Sequence, residues 1–353
     1  MRNNIVSLPL YLLLSLYCLQ VIQNPRFRPY YRLYEWLWIL LFPCAQSGYI
    51  VWRISLQKPS VMQIPGTLYD VLLLLCNLSI STVLLKNRNK LDGLLHAMKC
   101  LARNTQRKGS RVFAVFLIAA AFVLIFFRVQ VVLSNFGTSN ILEIFMAFIS
   151  IWLAQRLEIM LVGICWIAWE LQLYHGDFNK KLQQIQGFDS LRPHLQVHNR
   201  LCRAVLDFND LFGYPIMFSV FTILCLALGI LSKMISSNAD VCERLNTSDV
   251  VRRLVYLAPY LSYIIALSVL GEKLRREVRK TIEICFSYSE KSDISYVIGP
   301  VSETKEKLQV LANQVFQRST ALDAAGFFSL DSSTILFVVN TFCTYLVAIW
   351  QFM

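Results

Sequence analysis

Thr344-Tyr345-Leu346-Val347-Ala348-Ile349-Trp350-Gln351-Phe352-Met353 closes the sequence and reads as an apolar helix running to the last residue. No soluble tail follows it, so the final helix is expected to carry function itself. Hydrophobic residues make up 56% of the 353, charged residues 16%, and mean hydropathy is +0.50. A soluble domain carries roughly 25% charge. The expected fold class is therefore all-α, a polytopic helical membrane protein.

Apolar stretches of about 20 residues, the length that crosses a hydrocarbon core of roughly 30 Å, occur at 33–52, 68–85, 112–133, 141–161, 213–235, 250–270 and 329–352. They are seven expected spans. A further stretch, 5–22, follows Arg2 as a signal peptide would but lacks a small-residue cleavage site, so we read it as an uncleaved helix lying at the inner membrane face, with a true span as the alternative.

Basic residues orient the spans. Lys86, Arg88, Lys90, Lys99, Arg103, Arg107, Lys108 and Arg111 follow the second span against one acid, Asp92; Lys273, Arg275, Arg276, Arg279 and Lys280 follow the sixth. Lys180, Lys181, Arg192, Arg200 and Arg203 after the fourth span, and Arg26, Arg28 and Arg32 before the first, fall on the same side. The net charge of +12 thus sits on the cytoplasmic face, where it meets anionic lipid. The expected topology has the N-terminus inside and the C-terminus outside. A seven-helix G-protein-coupled receptor, the alternative, has the opposite orientation, an Asp-Arg-Tyr after its third helix and an Asn-Pro-x-x-Tyr in its seventh; neither motif is present. The sequon Asn246-Thr247-Ser248 lies in an expected outer loop, so Asn246 is the candidate glycosylation site, whereas Asn77-Leu78-Ser79 lies within a span.

Helical patterns continue past the membrane. The fourth span runs on toward Tyr174, about 30 residues or roughly 45 Å, while 195–212, 274–286 and 305–322 flank the other inner loops. These extensions are expected to pack below the membrane, with 287–302 a mobile loop. On a helical wheel of the last span, Ser333, Asn340, Thr344 and Gln351 fall within roughly 40° of one another, beside Phe337, Thr341 and Ala348, and Ile335, Val338, Phe342, Leu346, Ile349 and Trp350 lie opposite. A polar stripe in a span serves either interhelical hydrogen bonding or a water-filled path.

Ala324-Ala325-Gly326-Phe327-Phe328-Ser329-Leu330-Asp331, followed by Thr344-Tyr345 and then Gln351-Phe352, resembles the C-terminal signature of insect gustatory receptors, relatives of insect odorant receptors. Phe212-Gly213-Tyr214-Pro215 resembles the same family, and the N-terminal half carries no motif that matches residue by residue. The resemblance implies a ligand-gated, non-selective cation channel for small-molecule tastants in the plasma membrane of chemosensory neurons, a homotetramer or a heterotetramer with related receptors, with the last helix of each subunit around one pore. It divides the chain into an N-terminal segment (1–32), six spans with a ligand pocket in their outer half (33–271), a cytoplasmic anchor (272–325) and a pore helix (326–353), with the break at Gly326, where glycine tolerates the required backbone angles. Phe352 would close the outer constriction and Gln351 would line it; Ala348 would widen it, Thr344 and Tyr345 would brace the helix, and Asn340 shares the polar stripe. Phe352 as a lipid-facing anchor is the alternative. Leu346 stands where sugar-sensing members tend to carry an acid. That favours bitter or deterrent compounds, or a contact pheromone, over sugar.

Ligand-contact candidates in the outer half are Tyr49, Trp52, Tyr69, Asp70, Arg128, Gln130, Glu143, Trp152, Tyr256, Tyr260 and Tyr263, aromatic walls with a few polar groups that suit a small organic molecule. The aromatics equally suit interfacial anchoring, and Arg128 and Glu143 equally suit pairing with each other. Gln155, Arg156 and Glu158 are expected to form a buried polar knot. His194 and His198 share i, i+4 spacing without an acidic or cysteine partner nearby, so no metal site is expected, and the ten cysteines suggest no disulfide framework. No nucleophile and base, phosphate loop or nucleic-acid surface is recognisable. Neither enzymatic activity nor a cofactor is expected.

Overall fold

The computed structural model describes residues 43–48, 50–51, 55, 64–102, 141–184, 191–239, 247–294, 313 and 321–352. The expected third span, the stretch at 5–22, the sequon at Asn246 and most of 305–322 lie outside them. Among the described residues six long helices follow in order: α1 (Ile64–Lys86), α2 (Arg88–Ala102), α3 (Ile141–Leu182), α4 (Leu191–Ala239), α5 (Thr247–Ile294) and α6 (Ser332–Phe352). Residues 43–48 of the first span are also helical.

Spans two, four, five and six fall within α1, α3, α4 and α5, and span seven, expected from residue 329, lies in α6 from Ser332 on. Three stretches among the described residues, Ile151–Leu182, Gln196–Ser232 and Leu257–Ser287, are long and apolar enough to cross a membrane, and Thr67–Val83 is a shorter apolar helix. α3, α4 and α5 have 42, 49 and 48 residues, about 60–75 Å each at 1.5 Å per residue. They exceed a bilayer core by a factor of two. Pro215 and Pro259 lie inside α4 and α5 without ending them. Ser219 Oγ donates to the Pro215 carbonyl at 2.5 Å, and Cys76 of α1 lies 3.4 Å from Ser219, which ties α1 to this turn.

One apolar cluster joins α1, α3, α4 and α5 and takes in Leu322, Ala324, Leu330 and Val338 from the C-terminal region. A second joins the far ends of three helices: Tyr174, Phe178 and Leu182 of α3, Leu201 of α4, and Val278, Ile284 and Cys285 of α5. This is the packing of helical extensions that the sequence pattern anticipates. Polar groups reinforce it. Asn179 donates to the Glu277 carbonyl at 2.7 Å and to its carboxylate at 3.0 Å, and Thr281 donates to Asn179 Oδ1 at 2.6 Å.

Two expectations are corrected. The basic segment after the second span is not a plain loop but α2, whose Leu91, Leu94 and Met98 are buried at i, i+3, i+7 spacing. Lys90 reaches Asp210 of α4 at 2.6 Å, and this hydrogen bond, with the aspartate's charge, holds the ammonium above its ordinary range. The mobile loop expected at 287–302 begins as helix, because α5 runs to Ile294. The Ser287 hydroxyl turns back to donate to the Ile284 carbonyl at 3.0 Å, and the helix continues past it.

Candidate functional site

Residues 321–331 form a non-helical stretch just before α6. Ala325 and Gly326 adopt positive φ, +54° and +76°, which turns the backbone back on itself. Asp323 and Ser329 pair as an isolated antiparallel bridge. The Ala324 amide donates to the Phe328 carbonyl at 2.9 Å, and the Leu330 amide to the Leu322 carbonyl at 2.8 Å. The break expected at Gly326 is thus the tip of a closed elbow.

Two helices hold the elbow. Asn209 of α4 donates to the Ala321 carbonyl and to the Asp323 carboxylate, both at 2.8 Å, and accepts from the Asp323 amide at 3.2 Å. A Cβ at Gly213, one turn on, would stand 2.6 Å from the Ala325 nitrogen. A Cβ at Gly271 of α5 would overlap the Leu330 carbonyl oxygen. Only glycine leaves room for backbone at both places. The two stretches that carry the family resemblance, Phe212-Gly213-Tyr214-Pro215 and Ala324–Asp331, therefore meet in space.

Asp331 then starts α6. Its carboxylate accepts from the Ser333 amide at 2.9 Å and the Ser333 hydroxyl at 2.5 Å, which caps the first turn. It also accepts from the Ser329 hydroxyl at 2.7 Å and from Arg275 of α5 at 3.0 Å. Beyond the cap, Thr334 and Val338 are buried, with Ile335, Thr341, Phe342, Tyr345 and Ala348 half-buried. These positions recur every three or four residues and form the face packed on α4 and α5. Phe337 stacks on Phe328 at 6.3 Å and meets Phe221 of α4 edge-on at 6.4 Å.

Other described positions of α6 are uncovered. Ser333, Asn340, Thr344 and Gln351 are exposed, and beside them lie Leu336 at 68% exposure, Val339, Cys343 and Val347 at 59%. The Thr341 and Thr344 hydroxyls donate to carbonyls of α6 itself, those of Phe337 and Asn340. Among the described residues these two hydroxyls make no bond to another helix, and Ser333, Asn340, Thr344 and Gln351 lie on the exposed side of α6.

The ligand candidates divide. Tyr260 and Tyr263 of α5 are buried in the main apolar cluster, with Tyr69 of α1 and Trp152 of α3 packed against it. Asp70 is 7% exposed, and its backbone carbonyl accepts from Gln46 at 3.0 Å. Glu143 lies in α3 and Tyr256 in α5. Tyr49, Trp52, Arg128 and Gln130 lie outside the described residues, and with them the Arg128–Glu143 pairing. Gln155, Arg156 and Glu158 are all buried along α3. Asn77 is buried too: its amide donates to Leu73 and Leu153 carbonyls, which removes it from any glycosylating enzyme. The expectation that His198 has no cysteine nearby is corrected: Cys202, one helical turn on, lies with its thiol 3.5 Å from the His198 ring, which also packs on Phe178 at 5.5 Å. Among the described residues no group of three or more His, Cys, Asp or Glu side chains is placed to hold a metal.

A family model described as the 7tm chemosensory receptor matches residues 6–353. The chain belongs to this family. It is thus a seven-helix, multi-pass membrane protein of the chemoreceptor family. Its fold is similar to that of the insect olfactory receptor OR5 from Machilis hrabei, with a TM-score of 0.71, 13% identity and 98% of each chain covered. It is similar as well to the same receptor in complex with eugenol, with a TM-score of 0.69, 12% identity, and 99% and 98% coverage. No curated protein matches the sequence.

For this chemosensory receptor, sequence reasoning missed Asn209, Gly271, Arg275 and Asp331 as the fixtures of the elbow. Gly271-Glu272 at the end of a span carries a weak signal, a glycine inside a helix. Asn209 carries none, because its partners lie 112 and 114 residues away.

Proposed function

We propose that this chemosensory receptor is a gustatory receptor: a ligand-gated, non-selective cation channel that detects small-molecule tastants, bitter or deterrent compounds in particular, in the plasma membrane of chemosensory neurons. Four subunits, alike or mixed with related receptors, surround one axis with their α6 helices. Residues 272–325 serve as the cytoplasmic anchor and 326–353 as the pore helix.

The observation that carries this reading is the outward polar stripe of α6. Polar side chains on a membrane helix need a polar partner. Ser333, Asn340, Thr344 and Gln351 are exposed on the single chain; the Ser333 and Thr344 hydroxyls bond within it, to Asp331 and to the Asn340 carbonyl, and a shared aqueous path would solvate the side-chain amides of Asn340 and Gln351. In this arrangement the topology puts the Gln351 end at the outer face, where Phe352 forms the constriction and Gln351 lines it. Narrow rings of apolar side chains gate by excluding water. Tyr69, Trp152, Tyr260 and Tyr263 offer aromatic walls to a small organic ligand, and Asp70 and the polar residues of α3 offer hydrogen-bonding groups.

Patch recording from cells expressing the chain tests the proposal, with a panel of bitter compounds, sugars and small phenolics such as eugenol. A ligand-evoked cation current that survives blockade of G-protein signalling is the expected result. A response abolished by that blockade would overturn it.

A further inference from the structure

One face of α5 joins the candidate ligand zone to the base of α6. Tyr260, Tyr263, Leu267, Gly271 and Arg275 follow one another at intervals of three or four residues, so all lie within an arc of roughly 120°. Tyr260, Tyr263 and Leu267 are buried in the main cluster. Gly271 abuts the Leu330 carbonyl, and the Arg275 guanidinium holds the Asp331 carboxylate at 3.0 Å. The stretch is about 22 Å of uninterrupted helix. We infer that Arg275 is a positioning residue for the pore: with Gly271 it fastens the elbow to α5, so that a displacement of α5 at the tyrosines is carried to the base of α6.

Each part of the link has a reason in the structure. A helix is stiff along its axis and transmits a shift of its end. The Gly271–Leu330 contact is backbone against helix and cannot absorb that shift by rotating a side chain. The ion pair acts on the residue that caps α6, so moving Arg275 moves the first turn. Asn209 holds the opposite side of the elbow to α4, which makes relative motion of α4 and α5 the input. The mechanical part stands on these contacts, and its effect on current rests on the channel reading above.

The test uses the full chain in lipid nanodiscs, with hydrogen exchange followed over residues 321–338, alongside whole-cell current without ligand. Arg275→Ala is expected to speed exchange in this segment by about fivefold, a value held down because the arginine is half exposed. Arg275→Lys, which keeps the charge, should restore most of the protection even if the alanine variant folds poorly. Arg276→Ala, on the neighbouring face and paired with Glu272, should leave the segment unchanged. Ligand-free current should rise at least threefold in Arg275→Ala at equal surface expression, because loosening a contact of the resting state raises the share of the alternative. Exchange within twofold of wild type in Arg275→Ala would overturn the link. So would equal effects of Arg275→Ala and Arg276→Ala. Silence in every variant including wild type would count against the channel reading while the exchange data still decide the link.

Discussion

Substituting alanine for Gly271 separates two opposed effects of known size. Glycine inside a helix is less favourable than alanine by about 1 kcal/mol, so a helical Gly→Ala change in open space stabilises by roughly that amount. Gly93 of α2 has nothing within 4 Å of an added Cβ, and Gly176 of α3 meets only the Glu277 carboxylate at 3.8 Å, an ordinary contact. Both substitutions should therefore be neutral or stabilising. At Gly271 the added methyl would overlap the Leu330 carbonyl, a backbone atom held by the bridge and the Asp331 cap. Overpacking of this kind costs about 1–3 kcal/mol, and rigid backbone puts it near the upper end. The balance is a net loss of about 1–2 kcal/mol. Thermal unfolding of the three variants in one detergent, followed by fluorescence-detected size exclusion, measures the contrast. Gly271→Ala should melt several degrees below wild type, on the order of 2–4 °C per kcal/mol, and the other two at or above it. A Gly271→Ala variant as stable as Gly93→Ala would refute the seating of the elbow on α5.

Other outcomes follow from the same contacts. Gly326→Ala meets no atom within 4 Å, so its expected loss of about 1–2 kcal/mol comes from the left-handed backbone alone, measurable by the same melting assay. Asn209→Ala removes the partner of the Asp323 amide and the Ala321 carbonyl, leaving the Asp323 carboxylate its bond from the Gly326 amide, and should destabilise by about 1–3 kcal/mol, with added proteolysis near residue 323. Asn77→Gln should leave any glycosidase-sensitive shift in place, whereas Asn246→Gln should remove it. An epitope added after Met353 should be labelled on intact cells.

Much of the helical scaffold was legible because membrane spans need long apolar runs, and those at 68–85, 141–161, 213–235, 250–270 and 329–352 each lie almost entirely within a helix of the structure. The wheel of α6 also placed Val338 opposite the polar stripe, and it is buried while Asn340 and Gln351 are exposed. Amphipathic α2 was harder to see because basic residues dominate it, although Leu91, Leu94 and Met98 give the period. Seven residues of helix beyond Ser287 were hidden by their polarity. The elbow shows the firmer limit. Gly326 is visible as a helix breaker, but Asn209, Gly271 and Arg275 matter through atoms of residues 321–331, and no local pattern carries a pairing across 56 to 114 residues.

The central claim is that α6 lines a cation path. Relative permeability to sodium, potassium and calcium, measured in cells expressing the wild type or Gln351→Glu, tests it most directly. An acidic ring at that position should raise divalent relative to monovalent permeation or introduce divalent block. Ligand-evoked currents of identical selectivity in the two forms would contradict the account.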